Sequence, residues 1–243
     1  MSSSAARTAH DSVTVAFMGL DGVGKSTQSE ALESEWEARG RRPVRVHHAS
    51  TKVPGVRALK QRYHGAAVRI LGRRRAGAGR LERDDQRLRG GGAVAWVVSM
   101  YFLFGSFIKS LWYPWRTAGR PLILDRCFLD DVVKVRWRLG IDTRLSRILM
   151  RTIPKPTVIV VLEGEPAQTF QRKKAPTCTF EQYLEKRRVL EFTLQEAVGV
   201  GWVVERVEID GRNPQEVFLE VTRVIRTVIG PEGWSLGSSS EEA

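Results

Sequence analysis

One octapeptide limits what this chain can fold into more than any other feature. Gly19-Leu20-Asp21-Gly22-Val23-Gly24-Lys25-Ser26 follows the apolar run 13–18 and precedes a segment with helical spacing. It satisfies G-x-x-x-x-G-K-[ST] in the strand, loop, helix context that this motif requires. The glycines let the backbone curl until its N–H groups point inward, and the helix beginning near Lys25 adds the positive end of its dipole at the same point. Such a cradle suits the β- and γ-phosphates of a nucleoside triphosphate. Lys25 contributes a full charge to those oxygens, and the Ser26 hydroxyl is a candidate ligand for Mg2+. The residues expected to contact ATP are Gly19, Leu20, Asp21, Gly22, Val23, Gly24, Lys25, Ser26 and Thr27.

The remainder alternates in the same way. Pro43–His48, Pro121–Asp125, Thr157–Leu162 and Trp202–Ile209 read as further strands after the run 13–18. Helices are expected from Lys25 to about Arg39, with Ala31, Leu32 and Trp36 inward, and then at 129–139, 143–150, 166–174, 179–197 and 214–229. Gly40 is placed to stop the first, and Thr179 with Gln182 forms a capping box. Five short strands alternating with helices predict a three-layer α/β sandwich of the P-loop type with a five-stranded, mainly parallel sheet. Its ligands belong beyond the carboxyl ends of the strands.

With 243 residues, seven Trp and nine Phe, the chain can bury one substantial core. The expected organisation is one domain over 1–230 with a basic and apolar insertion at about 53–110, then a polar tail over 231–243. Between Arg57 and Arg89 there are ten Arg and one Lys against three acids, a large part of the net charge of +12. Such a patch reads either as a solvated surface or as a contact for phosphate groups, nucleic acid or an anionic membrane face. The run 93–108 then carries no charge and is rich in Val, Phe, Trp and Tyr. It falls short of a membrane span unless three glycines and Lys109 are included, so burial against the sheet is the leading expectation. The two cysteines, Cys127 and Cys178, are too few for a disulfide framework, and the polar start 1–11 has no apolar core of a signal peptide. A cytoplasmic location is the expectation.

The residue after Asp125 narrows the chemistry. Water-activating ATPases usually place Glu after the magnesium-side Asp, whereas here the run Leu122-Ile123-Leu124-Asp125 is followed by Arg126. A guanidinium beside the reaction line suits bidentate grip of an anionic acceptor. The guanine-reading Asn-Lys-x-Asp motif is absent, the one asparagine being Asn213. Transfer to an acceptor is therefore favoured over hydrolysis. His47 and His48 end a strand near the acceptor face, and Asp130 and Asp131 follow Arg126 closely. Each could meet an acceptor, or serve only in local hydrogen bonding and charge pairing.

GLDGVGKSTQ, AGRPLILDRCFLDD, VIVVLEGEPAQTFQRKK and VEIDGRNPQEV occur in this order. Together they resemble the thymidylate kinase family of nucleoside monophosphate kinases, over about Val13 to Ile229. The resemblance implies ATP with Mg2+, a nucleoside monophosphate acceptor with thymidylate first, and a homodimer as family members often form. It implies that Ser26 and Asp125 face the metal, that Arg126 holds the acceptor phosphate, and that Arg172, with Lys173 or Lys174, supplies the charge that Gly22 cannot. Lys25, Asp125, Arg126 and Arg172 are thus the catalytic candidates, and His48, Arg126 and Asp130 the acceptor-side candidates. Departures concentrate on the acceptor side. His48-Ala49-Ser50-Thr51-Lys52 stands where an Arg-Glu-Pro-Gly segment is usual, Cys127 replaces a Tyr, and 93–108 lacks the family's helix arginine. A divergent branch is implied. A cavity walled by Trp96, Tyr101 and Phe102 is one reading of the replacement, and ordinary core packing is the other. Beyond nucleotides, the alternatives are a kinase for another small acceptor and a non-catalytic ATP-binding protein acting at nucleic acid or membrane.

Overall fold

In the computed structural model the described residues are 13–47, 93–117, 119–141, 144–172 and 178–235. Five strands form one sheet: β1 (Thr14–Met18), β2 (Val44–His47), β3 (Leu122–Asp125), β4 (Val158–Glu163) and β5 (Val204–Glu208). Their order is β2-β3-β1-β4-β5 and every pairing is parallel, so the sheet is wholly rather than mainly parallel. Strands buried on both faces need unbroken apolar runs. Accordingly β3 is buried throughout, and Val15, Ala16, Phe17, Met18 and Val158–Val161 are all fully buried.

Helices flank this sheet: α1 (Lys25–Ala38), α2 (Ala93–Thr117), α3 (Phe128–Leu139), α4 (Arg144–Thr152), α5 (Pro166–Gln171), α6 (Phe180–Gly199) and α7 (Pro214–Ser235). Helix α1 packs with α7, while α3 packs with both α2 and α6. The capping box at the start of α6 forms as its sequence predicts. Thr179 Oγ1 accepts from the Gln182 amide at 3.3 Å, and Gln182 Oε1 accepts from the Thr179 amide at 3.0 Å. In α1, Leu32 and Trp36 are buried and Ala31 is only partly so.

Two segments depart from their sequence expectations. Helix α2 runs from Ala93 to Thr117, beyond the uncharged stretch and through Pro114, and only one of its faces is buried, by Ser99, Leu103, Ser106, Lys109 and Tyr113. At the other end of the chain, residues 231–235, expected in the polar tail, add a turn to α7 across a kink at Gly230 (φ 73°). The cause is apolar: Trp234 is buried edge-on against Trp36, ring centroids 6.2 Å apart, with Arg226 4.5 Å over its ring.

The topology fixes where a ligand can sit. From β1 the chain goes to β2 and back to β3 on one side, then crosses β1 to reach β4 and β5 on the other. The loop after β1 lies at this reversal, beyond the carboxyl ends of the strands, where open α/β sheets bind ligands.

Candidate functional site

Residues 19–24 leave β1 and enter α1 through a loop that only glycine can build. Gly19 (φ 135°) and Gly22 (φ 101°) have positive φ. A Cβ on Gly19 would meet the Leu162 carbonyl oxygen at 2.5 Å, and one on Gly22 would meet that of Thr169 at 2.4 Å. The loop is thus clamped from outside by the end of β4 and by α5. Gly22 has no room for a side chain, and a Cβ there would also come within 4.0 Å of Arg172 Cβ. Arg172, at the end of α5, therefore stands beside the loop.

Helix α1 begins at Lys25 with Gly24 as its N-cap, without a side-chain cap and with no acid in its first turn. Its amide ends face the loop with no competing carboxylate from that turn. Lys25 is buried, and its Nζ donates to the Gly19 carbonyl at 3.0 Å and the Leu20 carbonyl at 2.7 Å. Burial, with Arg126 close by, lowers the pKa of this ammonium from its ordinary value to about 8. An ammonium so desolvated gains more from polyphosphate than one already in water.

Ser26 Oγ donates to Asp125 Oδ2 at 2.8 Å, joining the start of α1 to the end of β3. The register Phe17↔Asp125 places these neighbours at the carboxyl edge. Asp125 is 2% exposed, and its other oxygen, Oδ1, is buried without a hydrogen-bond partner among the described residues. A buried carboxylate oxygen left open beside a serine hydroxyl fits a hard divalent cation, which takes oxygen ligands and keeps several waters. Ser26 and Asp125 are the residues that would hold it. His47, which ends β2 opposite Asp125, has Nε2 3.9 Å from Asp125 Oδ2. His48 lies outside the described residues, as do Lys173 and Lys174.

Arg126 turns sharply off β3: it has a left-handed backbone (φ 78°), and its amide donates to the Phe17 carbonyl at 3.2 Å. A non-glycine residue in this region is held by its surroundings. Its Nη2 donates to Asp21 Oδ1 at 2.9 Å, and its Nη1 lies 3.7 Å from Asp130 Oδ1. Burial draws its pKa down, but Asp130, Asp21 and Asp125 outweigh burial and raise it, so the guanidinium is charged throughout. Asp130 is also the reciprocal half of the α3 cap, with Oδ2 accepting from the Cys127 amide at 3.1 Å. Burial raises the pKa of this carboxyl in spite of Arg126, consistent with a pair too long to offset its desolvation. Asp131 pairs with Lys134 at 2.8 Å, and Glu165 caps α5 through the Ala167 amide at 2.9 Å.

Sequence reasoning missed Lys186 and Tyr183. Lys186 Nζ donates to Asp21 Oδ2 at 3.0 Å and lies 5.5 Å over the Trp137 ring, while the Tyr183 hydroxyl donates to Thr169 Oγ1 at 2.8 Å. Burial would raise the Asp21 carboxyl, yet Lys186, Lys25 and Arg126 hold it well below the usual carboxylate range. Tyr183, Lys186 and Leu190 are spaced along one helix face, which is the only signal the sequence offers; that this face crosses the glycine loop is a tertiary fact. Trp96 and Phe102 are 46% and 42% exposed, and Tyr101 meets Phe102 edge-on. A cavity of about 350 Å³ beside α2 is lined instead by residues including Thr14, Tyr113, Leu122, Phe128 and Trp202.

The glycine loop after β1, the parallel order β2-β3-β1-β4-β5 and the Ser26–Asp125 link together define an α/β fold of the P-loop type. No protein-family model matches this chain, and no curated protein matches its sequence. Among solved structures, the thymidylate kinase from Ehrlichia chaffeensis is similar, with 17% identity and a TM-score of 0.48, over 88% of this chain and 98% of that one. The class rests on the topology and the loop rather than on that neighbour.

Proposed function

We propose that this chain is an ATP-dependent phosphotransferase acting on a nucleoside monophosphate, with thymidylate as the first acceptor to try. The observation that carries this reading is the Ser26–Asp125 link at 2.8 Å with Asp125 Oδ1 left open, set between a buried Lys25 and Arg126. In the proposed reaction a phosphate oxygen of the acceptor attacks the γ-phosphorus of ATP. The bond from that phosphorus to the β,γ-bridging oxygen breaks, giving ADP and the nucleoside diphosphate.

Each side chain has a separate task. The loop amides and Lys25 hold the β- and γ-phosphates, so Lys25 exchanges the carbonyls of Gly19 and Leu20 for phosphate oxygens. Ser26 and Asp125 hold Mg2+, which when bound spreads the negative charge of the β- and γ-phosphates. Arg126 receives the acceptor's phosphate, with Asp21 and Lys186 fixing its direction. Arg172, beside Gly22, neutralises charge developing between donor and acceptor. Asp130 borders the acceptor place through its pairing with Arg126. The one-domain organisation over 1–230 and a homodimer belong to the same reading.

A panel of nucleoside monophosphates, nucleosides and small hydroxyl metabolites, incubated with ATP and Mg2+, tests it through ADP release above the acceptor-free rate. Stimulation by monophosphates, lost on Arg126→Ala, is expected. Stimulation only by unphosphorylated acceptors would move the assignment to another class of small-molecule kinase. ADP release that no acceptor raises would contradict transfer.

A further inference from the structure

One carboxylate of the glycine loop is shared between two cations from separate elements. Asp21 Oδ1 accepts from Arg126, just after β3, at 2.9 Å, and Asp21 Oδ2 accepts from Lys186, on α6, at 3.0 Å. The cations are the more deeply placed members: the side chain of Lys186 is 13% exposed and that of Arg126 22%, against 29% for Asp21. Each cation has a further hold, Lys186 over the Trp137 ring at 5.5 Å and Arg126 beside Asp130 at 3.7 Å. The loop backbone is fixed as well. The Asp21 carbonyl accepts from the Tyr183 hydroxyl at 3.4 Å, and Gly22 is pressed against the Thr169 carbonyl. Within this cluster the carboxylate is therefore the group that an incoming anion meets first.

Charge decides what can take its place. Burial opposes ionisation of Asp21, yet Lys186, Lys25 and Arg126 hold it well below the usual carboxylate range, so three cations converge on one carboxylate. Withdrawing Asp21 without a substitute would leave Arg126 and Lys186 facing each other, mostly out of water, which is costly. A neutral hydroxyl is no such substitute. A phosphate monoester is: near neutral pH it carries close to two negative charges, and its terminal oxygens accept from both cations in charge-assisted hydrogen bonds.

We infer that Arg126 and Lys186 together form a two-pronged receptor for the acceptor's phosphate, and that Asp21 is its resident anion until that phosphate displaces it. This rests on the proposed transfer, in which Arg126 faces the acceptor, and it makes Lys186 a direct ligand of the acceptor as well as a support for Arg126. The consequence is selection by charge. A phosphorylated acceptor displaces Asp21 and gains both cations, whereas a nucleoside leaves the carboxylate in place and the receptor occupied.

The test is calorimetric titration of inorganic phosphate into the full chain, with and without saturating Mg2+ and β,γ-imido-ATP, which fills the glycine loop. Phosphate is expected to bind the analogue-loaded protein, roughly tenfold more weakly after Lys186→Met, with most of the affinity restored by Lys186→Arg. Asp21→Asn, with its fold checked by circular dichroism, should tighten phosphate about fivefold, because the competing anion is gone. Equal phosphate affinity in the wild type and Lys186→Met overturns the inference, as does weaker binding by a folded Asp21→Asn. Loss of phosphate binding once the analogue fills the loop, or a fall in analogue affinity alone after Lys186→Met, overturns it by assigning these cations to the γ-phosphate of ATP. Should the analogue not bind, the ATP reading fails by itself, and the titrations of the bare variants still decide this one. Phosphate binding with the expected changes, but no monophosphate that raises ADP release, would sink the proposed transfer and leave the receptor standing.

Discussion

The glycine-loop side of the sheet and the α2 side are finished differently. Around the loop, hydrogen bonds tie separate elements together: Ser26 to Asp125, Arg126 and Lys186 to Asp21, Tyr183 to Thr169. The side chains that meet there are mostly polar. On α2 the inward face is packed, yet Phe104, Leu111 and Trp115 stand exposed. The first region gathers a buried ammonium, a guanidinium and a carboxylate with one open oxygen, features that suit the anionic, metal-bearing ligand of the proposed reaction. The second leaves apolar side chains in water.

Substitutions can break this contrast or sharpen it, beginning with the largest. Trp36, on α1, is fully buried with its ring edge-on to Trp234, so Trp36→Ala should lower the unfolding free energy by about 3–5 kcal/mol, read by urea denaturation. Asp125→Asn keeps the volume but removes the charge at the open oxygen. Turnover should fall roughly 100-fold, worth about 2.7 kcal/mol, with the fold intact by circular dichroism.

A smaller effect follows from pH. Lys25 titrates near 8 in the free protein, below the usual 10.5, so its charged form is disfavoured by folding and conformational stability rises as pH climbs from about 8 towards 10.5. Polyphosphate favours the charged ammonium. Binding of ATP should therefore take up a proton between about pH 8 and 10, and affinity should fall through that window; calorimetry in buffers of different ionisation enthalpy measures the uptake. Least of all, Trp115→Ser should change stability by no more than about 0.5 kcal/mol. A large loss there would mean that the outer face of α2 is packed rather than open.

The same contrast explains what the sequence disclosed. Motifs with demanding geometry were legible: the strand, loop and helix at 14–38, the α6 capping box, and the alternation that becomes a parallel sheet. The neighbourhood of Lys25, Ser26, Asp125 and Arg126 could be anticipated because the motif and topology put all four at the carboxyl edge. Lys186 could not, since its partnership with Asp21 joins residues 165 apart and depends on where α6 crosses. Nor could the depth of α2, because an uncharged run suits a buried helix and a half-exposed one equally well. Trp234 escaped for a related reason: a lone aromatic beyond Gly230 reads as tail until Trp36 supplies its partner.

Isothermal titration of MgATP into the wild type and into Lys25→Ala at neutral pH bears most directly on the phosphate cradle. Saturable binding to the wild type, weakened at least roughly a hundredfold in the variant, is the expected result for a buried ammonium that meets polyphosphate. No binding to either protein, or equal binding to both, would contradict it.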